Sequence, residues 1–233
     1  MNQHIGIVAC SAEGAALCYR TIASESAPVF GEHRHPQITL HTHPLSDYME
    51  AICRNDWEAV AGLMLDSARI VAAAGARIAV CPDNTIHQAF SLVESASPIP
   101  WIHIARNVAD AARRDGARCV GITGTKYLMT GPVYPDAFHS VGLDYRIPDA
   151  GDRERINDII FNELVYGIIR DESRRFFNGV ISRLEAAGAD AVVLGCTEIP
   201  LLVSPDDSPL PSYDSTRLLA RAAIRWAKDA SLT

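Results

Sequence analysis

Ala73-Ala74-Gly75-Ala76-Arg77-Ile78-Ala79-Val80-Cys81-Pro82-Asp83-Asn84-Thr85 aligns without a gap on Ala186-Ala187-Gly188-Ala189-Asp190-Ala191-Val192-Val193-Leu194-Gly195-Cys196-Thr197-Glu198, 113 residues further on. In each copy a helix-forming stretch stops at glycine, a short apolar run follows, and the run ends in a polar loop. The opening strands repeat at nearly the same offset, since Ile5-Gly6-Ile7-Val8 corresponds to the Val120-Gly121-Ile122 region. One α/β unit used twice is the reading.

Outward from these copies, short apolar runs alternate with longer helix-patterned segments, as parallel α/β sheets require. Strands are expected at residues 5–9, 37–42, 77–81, 118–123 and 191–195. Helices are expected up to residue 19, over 47–74 with a break near Arg54-Asn55-Asp56, up to Arg114, over 152–169 and 172–187, and over 215–230. The fold class is α/β, as two pseudo-symmetric parallel-sheet α/β domains with the active site in the cleft between them. The N-terminal domain takes residues 1–98 and is completed by residues 211–233; the second takes residues 99–210.

Charge and composition narrow the partners. The 233 residues carry 28 acidic against 21 basic side chains, a net charge of −7. No basic face is available for a phosphate backbone, so no nucleic-acid partner is expected. Apolar runs fall far short of the roughly 20 residues of a membrane helix, and the first residues lack the basic flank of an export signal. No membrane association and a cytoplasmic location are expected. The six cysteines form no C-x-x-C pair and read as free thiols.

The aligned copies set Asp83 against Cys196. Each follows a strand, at the edge where α/β sheets bind ligands. A thiol and a carboxylate on opposite walls of one cleft suit removal of a carbon-bound proton from one face and return of a proton to the other, which is racemisation or isomerisation. The ordinary pKa of a thiol, about 8.5, makes Cys196 a plausible base near neutrality, whereas a carboxyl near 3.9 is weak unless burial or a neighbouring thiolate raises it. Asn84, Thr85, Thr125 and Thr197 offer donors for a substrate carboxylate and for the enediolate formed on proton loss. Helix capping explains Asn84 and Thr85 equally well. Ser11 and Cys10 occupy the first strand-to-helix loop and border the same edge, although Cys10 also reads as a small buried residue.

Gly195-Cys196-Thr197-Glu198-Ile199-Pro200 and Asn84-Thr85-Ile86-His87 resemble the two signature motifs of the aspartate/glutamate racemase family. Further similarities run through Gly124-Thr125-Lys126-Tyr127, Met129, Tyr134, Asn162-Glu163-Leu164, Gly167 and Asp214-Ser215-Thr216. The resemblance implies two α/β domains, no cofactor, a small carboxylate substrate such as an amino acid, and a homodimer; no metal is expected, because no further ligands accompany the histidines. It implies that the residue before Asn-Thr and the Cys of Gly-Cys-Thr are the two bases, which are Asp83 and Cys196 here. Cys81, two residues upstream of Asp83, reads as a buried strand thiol.

Departures from the family bear on substrate. An Arg and a Lys that hold a distal carboxylate in members acting on acidic amino acids correspond best to Tyr48 and Val165, and a second threonine of the Gly-Thr loop to Leu128. Tyr48 thereby joins the candidate substrate contacts, and a less acidic substrate comes into play. Two other functions remain open: a lyase that decarboxylates a disubstituted malonate with one cysteine as proton donor, and a non-catalytic small-carboxylate binding protein. His33, His35, His41 and His43 form two H-x-H pairs that a strand would place on one face, but no further ligands accompany them, and they are expected to be polar surface or cleft-lining groups. Gly121-Ile122-Thr123-Gly124-Thr125-Lys126 lacks the spacing of a phosphate loop.

Overall fold

The computed structural model describes residues 3–230. Two four-stranded parallel sheets are formed. In the first, β1 (His4–Ala9), β2 (Gln37–Thr42), β3 (Ile78–Val80) and β4 (Trp101–Ile102) lie in the order β2-β1-β3-β4. In the second, β5 (Cys119–Thr123), β6 (Asp144–Arg146), β7 (Ala191–Leu194) and β8 (Ser212–Asp214) lie in the order β6-β5-β7-β8. The same order recurs in both halves, so the internal repeat of the sequence is a repeat of topology.

The central strands are buried along their length because helices cover them. Ile5, Ile7, Ile78 and Val80 pack against Cys18 and Ile22 of the helix Ala12–Glu25. They also pack against Leu219, Ala220, Ala223, Ile224 and Ala227 of the helix Ser215–Asp229. Burial of each large apolar side chain stabilises the unit by about 1.5–3 kcal/mol. Gly6 has a packing reason: a Cβ there would fall 2.6 Å from Val71 Cγ2 of the helix Trp57–Ala73.

The chain divides into two compact units, one running through Ile104 and resuming at Thr216, the other spanning Ala105–Ser215. Both crossings lie a few residues beyond 98 and 210, because Trp101–Ile102 hydrogen-bonds into the first sheet and Ser212–Asp214 into the second. Other elements also differ from the sequence reading. β4, β6 and β8 are two or three residues long and carry no period that a sequence could reveal. The helix expected over 152–169 ends at Asn162. Glu163 leaves the helical region at φ −125° and turns its buried carboxylate to accept from Ser173 Oγ at 2.5 Å. A short 3₁₀ turn, Leu164–Tyr166, then closes on Gly167 at φ 70°.

Candidate functional site

In the second unit the strand edge is shaped by a glycine. The register Thr123↔Leu194 continues one step, with Gly195 N–H donating to the Thr123 carbonyl at 2.8 Å. A Cβ on Gly195 would fall 2.6 Å from that carbonyl oxygen and 2.6 Å from Leu128 Cδ2. Only glycine fits, and the chain leaves the sheet with Cys196 at its end. Cys196 is partly exposed, whereas Thr197 and Glu198 behind it are buried.

The Cys196 thiol donates to Glu198 Oε2 at 2.9 Å, and Thr197 Oγ1 donates to the same oxygen at 2.7 Å. A buried carboxylate is thereby held by two donors, as burial of such a group requires. The β5–β7 pairing ends at Thr123↔Leu194, with Thr125 two residues beyond it on one strand and Cys196 two residues beyond it on the other. Thr125 Oγ1 accepts the Leu128 N–H at 3.2 Å and caps the helix Lys126–Thr130.

The first unit builds the matching edge differently. Pro82 stands where Gly195 stands in the other copy and has no N–H to extend the ladder, so the β1–β3 pairing ends at Val80. Asp83, partly exposed, follows. Its Oδ1 accepts the Ile86 N–H at 3.3 Å across the turn that starts at Thr85. Asn84 is buried and Thr85 partly exposed on the same loop. Ser11 Oγ accepts the Gly14 N–H at 3.3 Å and caps the helix Ala12–Glu25.

His87 fastens this loop from behind. Buried against Phe90, with ring centroids 5.5 Å apart and 14° between planes, it accepts the Ile104 N–H on Nε2 at 3.4 Å. The proton of the neutral ring therefore sits on Nδ1, which donates to the Asp83 carbonyl at 2.7 Å.

Tyr48 stands behind the edge rather than on it: its side chain, on the helix Leu45–Cys53, is fully buried. Burial, reinforced by the facing Cys81, Cys10 and Asp83, pushes its hydroxyl pKa up, so it stays protonated. Ser67 lies beside this hydroxyl without a well-aligned hydrogen bond to it, its own Oγ being 3.0 Å from His41 Nδ1. Burial also pushes the Cys81 thiol well up; it is buried as expected, but one residue beyond the end of β3 rather than in the strand. Val165, the other position where a cation was sought, is partly exposed in the 3₁₀ turn.

The histidine pairs have local partners. His43 Nε2 lies 3.0 Å from Asp66 Oδ2, His41 meets Ser67, and His35 Nδ1 is 2.8 Å from the Pro36 carbonyl. His33 sits on the surface beside Glu32. Among the described residues no helix is long and apolar enough to cross a membrane.

Two residues of the site escaped the sequence reading, Glu198 and His87. Both lie inside the quoted motifs, but nothing in a linear pattern says that one carboxylate turns back onto a thiol two residues away, or that one imidazole grips a carbonyl four residues back.

Known proteins share this construction. The chain aligns over 96% of its length, and over 98% of the other, with the structure of a candidate Asp/Glu racemase from Yersinia pestis, at 32% identity and a TM-score of 0.88. An aspartate racemase homologue from Pyrococcus horikoshii OT3 matches over 97% of this chain and 99% of that one, at 26% identity and a TM-score of 0.84. Glutamate racemase from Francisella tularensis, solved with D-glutamate, shares the fold at 14% identity and a TM-score of 0.73, covering 99% of this chain and 83% of its own. The family described as Asp/Glu/Hydantoin racemase matches residues 5–223, and with that span, the duplicated sheet and the Gly-Cys-Thr edge in place, the chain belongs to this family.

Proposed function

We propose that the protein is a cofactor-independent racemase or isomerase of a small carboxylate, an amino acid or a close relative, in which Asp83 and Cys196 carry the acid–base work of their halves at one α-carbon. The observation that carries this reading is the partly exposed thiol of Cys196 held on the buried Glu198 carboxylate at 2.9 Å. A partly exposed thiol with a carboxylate to take its proton supports an acid–base role at carbon, and general acid–base groups of this kind contribute ~10²–10⁴-fold to rate. Asn84, Thr85, Thr125, Thr197 and Ser11 supply polar atoms and backbone N–H groups at the two edges for a carboxylate and its enediolate. Neither Tyr48 nor Val165 offers a positive charge, so the substrate's far end is read as uncharged or held elsewhere. The family likeness extends the reading to a cytoplasmic homodimer, tested by sedimentation of the purified protein.

A second reading has one observation in its favour: Asp83 Oδ1 is engaged by the Ile86 N–H of its own loop, which suits a malonate decarboxylase that works through the Cys196 thiol alone. Incubation in D₂O with both enantiomers of a panel of amino acids, and with disubstituted malonates, decides between them. Deuterium at the α-carbon with inversion is expected, and it should disappear in Cys196→Ala. CO₂ release from a malonate without inversion of any amino acid would replace the racemase by the lyase.

A further inference from the structure

In the second unit the Gly195 N–H carries the ladder one step beyond Leu194. In the first, Pro82 has no N–H to give, and the pairing of β3 with β1 stops at Val80. Asp83 comes three residues after Val80, so something other than the sheet must fix it.

The main chain at Asp83 is held at its carbonyl oxygen. His87 Nδ1 donates to this oxygen at 2.7 Å, and the Cys81 thiol lies 4.0 Å from it. A peptide is planar and trans, so a gripped carbonyl fixes the Cα atoms on both sides of it, those of Asp83 and Asn84. The Asp83 carboxyl is left with its own side-chain torsions, and the Ile86 N–H at 3.3 Å from Oδ1 restrains those.

The gripping ring is itself immobilised. It stacks on Phe90 at 5.5 Å and meets the His103 ring edge-on at 4.7 Å, and Phe90 in turn meets Trp101 of β4. Its Nε2 accepts the Ile104 N–H at 3.4 Å. Ile104 is the last residue of the first unit before the chain crosses into the second at Ala105. Both partners are main-chain groups, an N–H that only donates and a carbonyl that only accepts, so a single neutral tautomer serves both.

Resting on the racemase reading, we propose that His87 is a positioning residue for Asp83 whose two nitrogens do separable work. Nδ1 sets the Asp83 main chain for acid–base chemistry, and Nε2 ties the same loop to the chain crossing at Ile104. The two bonds are unequal when lost. A stranded buried N–H is tolerated less well than an under-used carbonyl, so loss of the Ile104 bond falls mainly on stability. Loss of the Asp83 bond falls mainly on rate, since displacing a reacting group by about 1 Å costs ~10²-fold.

Three substitutions separate the nitrogens. The Asn amide N–H, bonded to Cγ as Nδ1 is, can reach the Asp83 carbonyl; the Gln amide oxygen, one bond further out as Nε2 is, can accept from Ile104. On any amino acid that the wild type exchanges, His87→Ala should lower kcat for α-deuterium exchange by ~10²-fold, with KM changed less than about 3-fold. His87→Asn should recover about 10-fold of that loss and His87→Gln none of it. Denaturant midpoints should rank those two in the opposite order, Gln above Asn. Rates and midpoints that fall in the same order across the three variants would make His87 a structural residue only and overturn the proposal. Wild-type protein gives a reading that no unfolded variant can spoil: the His87 nitrogen NMR signals should show a protonated Nδ1 and a bare Nε2. The opposite tautomer would overturn the proposal as well. Failure of the wild type to exchange any amino acid would instead remove the racemase reading, and the ring signals with the midpoints would still decide whether His87 ties Asp83 to Ile104.

Discussion

The two strand edges begin from the same sequence pattern and diverge at one position. In the second unit Gly195 donates to Thr123 and lets the ladder run on. In the first, Pro82 ends the ladder after Val80. In the second edge Cys196 and Thr197 both donate to the Glu198 carboxylate, within three successive residues. The first is assembled from afar, with Asp83 gripped through its carbonyl by His87 and backed by Tyr48 from another helix. A duplicated α/β unit thus preserves the location of its strand edge more faithfully than the means of holding it.

Four measurements would break or sharpen this contrast. The largest effect belongs to Cys196→Ala, which should remove α-deuterium exchange by ~10²–10⁴-fold while leaving the circular dichroism spectrum unchanged; an unaltered rate would strip the second edge of its role. Next comes Gly195→Ala. With a backbone oxygen 2.6 Å from the new Cβ, the strand must shift, and denaturant unfolding should show a loss of about 3 kcal/mol. Pro82→Ala should cost no more than about 1 kcal/mol. Equal losses at the two sites would mean that the edges are built alike after all.

His87→Phe keeps the stack on Phe90 but strands the Ile104 N–H and leaves the Asp83 carbonyl without its imidazole partner. A loss of about 1–3 kcal/mol is expected, with exchange weakened more than in a Phe90→Leu control. An undiminished rate would show that the first edge needs no fastening.

The smallest effect is alkaline. Burial pushes the Cys18 thiol of the first unit up to about 12. Its unfolded pKa is about 8.5, so the folded form holds the proton more tightly between those values. That contribution to stability is full below the unfolded value and is lost as pH rises towards 12. Cys18→Ala should flatten the decline in stability above about pH 9. An unchanged slope would assign the decline to other buried groups such as Cys81.

Much of this was legible in the chain. Residues 37–42 coincide with β2, and the break near Arg54-Asn55-Asp56 is present, with Asn55 in the left-handed region at φ 55° between the helices Leu45–Cys53 and Trp57–Ala73. These are strong periods closed by turn-forming residues, and local chemistry settles them. β4, β6 and β8 were not legible, because two or three residues become a strand only when a neighbour offers its hydrogen bonds. The helix over 152–169 was read too long for a related reason: Glu163 leaves the helix to reach Ser173, a partner on the next helix.

The candidate site divides in the same way. The sequence by itself determined that one α/β unit occurs twice and that Asp83 and Cys196 close equivalent strands, since period, glycine stops and the 113-residue offset are properties of the chain alone. Only the tertiary structure decided that Glu198 holds the Cys196 thiol, that His87 holds the Asp83 carbonyl, and that Tyr48 lies buried behind the first edge. Hydrogen bonding and desolvation act between side chains brought within a few ångströms, and that proximity is written in no local stretch of residues.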